Sequence, residues 1–268
     1  FSQTQRYEAG RLALNALQLR LDDEDVVSDV TLDGVVFTAV FNPVDGRKNW
    51  DDLVAGFVWA FRDVEDATLV IKVVHHSLNL GVLPVLSHIQ KLRPFRCRIV
   101  VLHGMLSDDD YRSLIGATTY AVNTSTAEGQ CLPLMEFMSA GRPAVAPRHS
   151  ALTEYVDQEN SFVIESEPLP THWPHDPRRM IRCHQHRPFF TDIQRAYIDA
   201  YRTWKKDPKA YQSKSDKSRE ALSNFCSDDV VHQRLRKALT PLIKRDAPPR
   251  EEDRATLARQ TQSGSAKD

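Results

Sequence analysis

The 268-residue chain is 41% hydrophobic and 26% charged. It is long enough to bury a core, and it has neither an apolar run able to cross a bilayer nor a basic, apolar leader at Phe1. Thirty-five Lys and Arg face 36 Asp and Glu, a net charge of -1, which argues against a broad nucleic-acid footprint and makes any phosphate site local. The cysteines Cys97, Cys131, Cys183 and Cys226 are far apart with no Cys-x-x-Cys, so neither a zinc site nor a disulfide framework is indicated, and a reducing cytoplasm is expected.

In chain order, Gln3 to Leu21 spaces Tyr7, Leu12, Leu14, Leu17 and Leu21 loosely as a helix, followed by the acidic Asp22 to Asp25. Val35 to Phe41 is an apolar, β-rich run ended by Asn42-Pro43-Val44-Asp45-Gly46, which predicts a buried first strand and a turn. Trp50, Leu53, Val54, Phe57, Val58 and Phe61 recur at three and four residues, the spacing of an amphipathic helix. Ala67 to Val74 reads as a strand, Leu80 to Leu92 as a helix, and Cys97 to Leu102 as a strand closed by His103-Gly104. Ser107 before Asp108-Asp109-Asp110 reads as a helix N-cap with an acidic first turn, not as a metal-binding Asp-x-Asp. A short strand at Tyr120 to Asn123, a helix from Pro133 to Ala140 stopped by Gly141, and strands at Pro143 to Ala146 and Ser161 to Ile164 complete the alternation.

This alternation predicts an α/β fold, a Rossmann-like parallel sheet with helices on both faces. In such sheets ligands sit at the carboxyl ends of the strands, which selects Asn42 to Lys48, His75-His76, His103 to Leu106 and Asn123 to Pro133. Beyond Glu165, Pro168, Pro170 and Trp173 to Pro177 read as an irregular connection, followed by helices near Ile193 to Lys206, Pro208 to Phe225 and Asp228 to Lys244. The expected organisation is a helix and linker over 1–34, the sheet domain over 35–165, the connection and extra C-terminal helices over 166–245, and a disordered tail over 246–268.

The most informative segment is Ser125 to Pro143, a loop leaving a strand and then a helix opening at Leu132-Pro133, where the missing proline N–H would be unpaired anyway. Its loop amides and helix start suit anionic oxygens. Glu128 in the loop and Glu136 on the second helical turn can face one ligand from different heights, one accepting from sugar hydroxyls and the other from a ribose. Gly46-Arg47-Lys48 reads either as a pair of cations stabilising a departing phosphate or as a solvated turn. Lys72, near the end of an apolar strand, is either a phosphate ligand or a cap on the strand edge. His75, His76 and His103 lie near the site by topology, with a structural role expected for at least one. His172, His175, His184 and His186 with Cys183 match no tight zinc pattern and read as loop chemistry or packing, so no metal ligand is assigned.

Ser125 to Pro143 resembles the Glu-x7-Glu region of the retaining GT-B glycosyltransferases, the glycosyl transferases group 1 family, whose pattern runs roughly S-x-x-E-G-x-G-L-P-x-x-E-A-M-A-x-G-x-P-V-V. Glu128-Gly129, Leu132-Pro133, Glu136, Met138, Gly141 and Pro143 match in register, and the likeness extends to His103-Gly104-Met105-Leu106 and Glu154-Tyr155-Val156. The resemblance implies the C-terminal, donor-binding half of a hexosyltransferase of glycan or polysaccharide synthesis. It implies a GDP- or UDP-linked sugar as donor, a saccharide or lipid-linked acceptor, and no metal cofactor. Lys48, Arg47 and Glu128 take the catalytic positions. Asn42, His103, Gly104, Met105, Leu106, Gly129, Gln130, Cys131, Leu132, Pro133 and Glu136 take the donor-binding ones.

Two departures stand out: Cys131 replaces a glycine, and Val40-Phe41-Asn42 stands where the family has a Gly-Arg pair, with Arg47-Lys48 following. The family has two sheet domains, and ahead of Val35 there is no room for the acceptor domain. With Phe1 in place of methionine, this predicts part of a longer protein, incomplete as an enzyme by itself. A cytoplasmic location is expected, at most peripheral at the inner membrane. The alternative is a non-catalytic nucleotide-sugar-binding or interaction module. A Rossmann oxidoreductase is disfavoured, because no Gly-x-Gly-x-x-Gly follows the first strand.

Overall fold

A computed structural model describes residues 5–8, 30–173 and 176–246. Gln5–Glu8 forms strand β1, antiparallel to residues 100–103, where the spacing predicted helix. An open sheet edge offers backbone partners that override a loose helical pattern. The rest of the predicted N-terminal helix, and the tail beyond Asp246, lie outside the described residues.

The apolar runs form strands where expected: β2 (Val35–Phe41), β3 (Ala67–Val73), β4 (Arg98–His103), β5 (Tyr120–Val122), β6 (Ala144–Pro147) and β7 (Ser161–Ile164). The helices between them are α1 (Trp50–Phe61), α2 (Leu83–Lys91), α3 (Asp108–Ala117) and α4 (Leu132–Ser139). α2 starts later than its pattern predicted, because a wider π turn occupies Leu78–Val82. The N-cap of α3 is as read: Ser107 Oγ accepts from the Asp110 amide at 3.1 Å.

Strand order is β1-β4-β3-β2-β5-β6-β7, and every pairing from β2 to β7 is parallel. β3, in the interior, is buried at all seven positions, as a strand covered on both faces requires. Chain progression reverses between β2 and β5, so the exits of these two strands flank the topological switch point, where ligands of doubly wound sheets bind.

On one face, Phe37 packs against Phe57 and Phe61 of α1, Tyr120 of β5 and Tyr197. Tyr197 belongs to α5 (Phe190–Lys206), which buries Ile193, Ala196, Tyr197 and Ala200 at helical spacing. α5 approaches α1 closely because Gly56 has no side chain; a Cβ there would lie 2.6 Å from Ile193 Cγ2. On the opposite face Leu134 and Phe137 of α4 meet Thr38, Val40 and Ala121 of the sheet.

Residues 166–188 correct the irregular connection predicted for them, forming a hairpin of β8 (Ser166–His172) and β9 (Arg182–Pro188). Pro168 and Pro170 are two residues apart, so their missing N–H groups share one edge of a two-stranded ribbon, where proline is tolerated. The helix α6 (Pro208–Cys226) anchors its earlier turns through Tyr211, Ser215 and Ser218, which donate to the carbonyls of Thr119, Gly141 and Asn160. The sheet and its helices thus belong to one compact unit extending to Ser223. A second unit begins at Asn224 and contains α7 (Asp228–Asp246), with Pro241 inside the helix. Among the described residues no helix is long and apolar enough to cross a membrane.

Candidate active site at the switch point

Beyond β2 the chain turns at Asn42, whose side chain accepts from the Val44 amide at 3.1 Å, so this residue serves the turn itself. A short 3-10 turn at Gly46–Lys48 then swings Arg47 and Lys48 back over the sheet. Beyond β5, Asn123 to Cys131 forms the facing loop, held by the Thr126 amide donating to the Arg47 carbonyl at 2.7 Å.

Glu128 is where the two loops meet. Its side chain is 2% exposed, and Lys48 Nζ at 2.6 Å and Arg47 NH1 at 2.7 Å both reach it. Ser125 Oγ donates at 2.6 Å and Asn123 Nδ2 at 3.2 Å. Lys48, Ser125 and Asn123 converge on Oε1, while Arg47 alone reaches Oε2, so every Glu128 oxygen is engaged and Oε2 keeps an open acceptor position. Burial pushes the Glu128 carboxyl up, but the hydrogen bonds from Lys48 and Ser125, the Lys48 charge and the Arg47 bond outweigh it and hold it at about 2. Arg47 also pairs with Asp45 at 3.0 Å.

Behind this cluster lies a ring of bonds for which the local pattern of residues holds no cue. His149 sits beside Ser125 O at 2.9 Å and Ser150 Oγ at 3.0 Å, and the Glu128 amide donates to Ser150 Oγ at 3.0 Å. A carbonyl can only accept, so Nε2 carries the imidazole proton and Nδ1 accepts from Ser150. Burial lowers His149 to about 4, aided by the charge of His186 and opposed by the Ser125 bond and the Glu128 charge. His186, on β9, stacks on His149 at 4.5 Å, and its amide donates to Thr126 O at 2.7 Å, so the hairpin is fastened to the Glu128 loop.

The remaining predicted residues fall into two groups. Lys72 is 8% exposed and donates to Val73 O at 3.1 Å and Gly104 O at 2.6 Å. It therefore caps the strand exit, with burial lowering its pKa. His103 Nε2 lies 2.9 Å from His75 O, so His103 and Gly104 are tied to the exit of β3, while Met105 beyond them is 92% exposed. In the second group, Glu136 stands on α4, and its Oε2 accepts from Tyr111 Oη at 2.7 Å. Gly129, Gln130 and Cys131 lead into α4 at Leu132 and Pro133, and the Gln130 carbonyl accepts from Tyr155 Oη at 2.6 Å. Among the described residues no group of three His, Cys, Asp or Glu converges as a metal site would require, and His175 lies outside them.

Cys131 has φ 61 and ψ 63, left-handed geometry that glycine adopts without cost. Burial first, then Glu128, raises its thiol to about 11, so it remains protonated, and its Sγ accepts from Asn123 Nδ2 at 3.1 Å. At this position Cys131→Gly should be more stable to urea than Cys131→Ala by about 1 kcal/mol, the reverse of an ordinary chain position. An alanine variant equal to the glycine variant would refute the strain.

Residues 47–174 match the family described as Glycosyl transferases group 1. No curated protein matches the chain by sequence. Among solved structures, it is similar to a sucrose-phosphate synthase from Thermosynechococcus elongatus, at 15% identity over 88% of this chain and 49% of that one, TM-score 0.54. It is also similar to the catalytic domain of a cholesterol-alpha-glucosyltransferase from Helicobacter pylori, at 13% identity over 71% of this chain and 99% of that one, TM-score 0.50. At these identities the likeness is one of fold. The chain spans about half the length of the synthase.

Proposed function

Residues 47–174 belong to the glycosyl transferases group 1 family, and from that premise we propose that the chain is the donor-binding half of a retaining hexosyltransferase. The donor is a GDP- or UDP-linked hexose, and the acceptor is a saccharide or lipid-linked glycan in a cytoplasmic step of polysaccharide synthesis. The observation that carries this reading is the convergence of Lys48 and Arg47 on buried Glu128 at the switch point of the sheet.

In transfer, the bond from the anomeric carbon to the diphosphate oxygen breaks and negative charge builds on the leaving diphosphate. The acceptor oxygen bonds to the same face of the sugar, and its proton passes to a phosphate oxygen. Lys48 and Arg47 stabilise the developing charge, and the amides of Gly129 to Leu132 at the start of α4 add donors. When these cations turn toward the diphosphate, they release acceptor positions on Glu128, which then hold a sugar hydroxyl. Donor binding and sugar positioning are thereby coupled through one carboxylate. Glu136 takes the ribose, with the His103 to Leu106 loop beside the base.

The engagement of both Glu128 oxygens by the protein's own donors also favours a second reading, a module that binds nucleotide sugars without transferring them. Calorimetry with GDP- and UDP-hexoses should show binding, tighter for nucleoside diphosphates than for the matching monophosphates. Lack of binding to every one of these ligands overturns both readings. Turnover assays on the longest available form, with and without Glu136→Ala, separate enzyme from binding module.

A further inference from the structure

Glu136 lies on the exposed side of α4, where an unrestrained glutamate samples many rotamers. Here its Oε2 accepts from the Tyr111 hydroxyl at 2.7 Å, across from α3. Tyr111 is itself fixed, its ring packed edge-on against Phe137 at 6.0 Å. Burial, then Glu136, raises the phenol well above its ordinary range, so it remains a proton donor. Both side chains line a cavity of about 540 Å³ between α3 and α4, with Asp108 and Arg112 among its other walls. Asn123 Nδ2 bonds both Glu128 and Cys131, and Cys131 occupies the N-cap of α4, so the helix that carries Glu136 begins beside Glu128.

We infer that Tyr111 is a positioning residue that fixes the Glu136 carboxylate for ribose hydroxyls, so that the site selects ribonucleoside over deoxyribonucleoside diphosphates. This rests on the donor-binding reading above. One phenol bond uses one of about four acceptor positions, leaving the rest of the carboxylate for the two ribose hydroxyls. A carboxylate already held in one rotamer accepts those bonds without the ordering cost of a mobile one.

The test is calorimetry of the 268-residue chain with UDP, GDP and their 2′-deoxy and 3′-deoxy counterparts. The ribose forms should bind about tenfold tighter, the size expected for hydrogen bonds to a charged group. Tyr111→Phe keeps the ring against Phe137 and should reduce that preference to about threefold or less, while the deoxy forms bind as they do to the unaltered chain. Glu136→Ala should abolish the preference. A Tyr111→Phe protein that keeps the full preference overturns the positioning role, and so does an unaltered chain with no preference. Failure of the unaltered chain to bind any nucleoside diphosphate overturns the donor-binding reading beneath it, a result distinct from the other two.

Discussion

Lys48→Met is expected to destabilise the folded chain by about 3 kcal/mol, because it removes the closest cation from a carboxylate that stays buried and charged. Arg47 remains on Glu128, but it is shared with Asp45 and more exposed. Lys48 has a side chain only 15% exposed, against 41% for Arg47, so the low-dielectric share of the attraction is its own. The double variant Lys48→Met with Glu128→Gln should recover most of the loss, since a neutral amide can keep the bonds from Ser125 and Asn123 without a counter-charge. Urea unfolding of the four proteins in the cycle measures this directly. A Lys48→Met variant within about 0.5 kcal/mol of the original would contradict a buried, charge-dependent pair. The same substitution should weaken nucleoside diphosphate binding by about tenfold or more, and monophosphate binding less, if Lys48 also serves the diphosphate.

Stability should also fall in two stages as pH drops from 7 to 2. His149 is held at about 4, below its unfolded value near 6.5, so the unfolded chain binds the extra proton first. Its contribution is complete above about pH 6.5 and is lost as pH falls to about 4. Glu128 is held at about 2 against an unfolded value near 4.5, and its contribution is lost over that lower window. Each displacement of about two and a half pH units corresponds to about 3 kcal/mol. Both side chains are 2% exposed, so solvent screens little of either. Physically, an imidazolium would have to reverse the bond that Nδ1 accepts from Ser150, and that hydroxyl also holds the Glu128 amide. Urea midpoints measured across this range should therefore rise with pH throughout, and His149→Asn should flatten the upper stage alone. A slope between pH 6.5 and 4 that survives this substitution would assign that stage to other groups.

Legibility in the sequence followed the range of each interaction. Val35 to Phe41 and Ala67 to Val73 read as buried strands, and Trp50 to Phe61 as a helix, because burial on two faces or one leaves a local apolar period. The Ser107 cap was equally local. Residues 166–188 failed for a local reason too: prolines at 168 and 170 resemble a loop unless one knows that their edge faces no partner strand. Gln5–Glu8 became a strand because an edge of β4 was open to it, a fact absent from its own composition.

At the site, Ser125 to Pro143 could be matched to a family pattern because its glycines, prolines and glutamates lie within one loop and helix. Neither Tyr111 nor His149 carried a comparable cue, since each acts on that segment from elsewhere in the chain. The sequence by itself determined an alternating α/β chain, and singled out the carboxyl edge of its sheet and the two glutamates as candidates. Strand order was decided only by tertiary structure, since pairing of β2 with β5 depends on side-chain packing across the whole sheet. That pairing brings Lys48 to 2.6 Å from Glu128 across a sequence separation of 80, and makes a turn that looked solvated into the counter-charge of a buried carboxylate. No periodicity encodes such a contact, because its energy comes from desolvation and charge that exist only once the two loops have met.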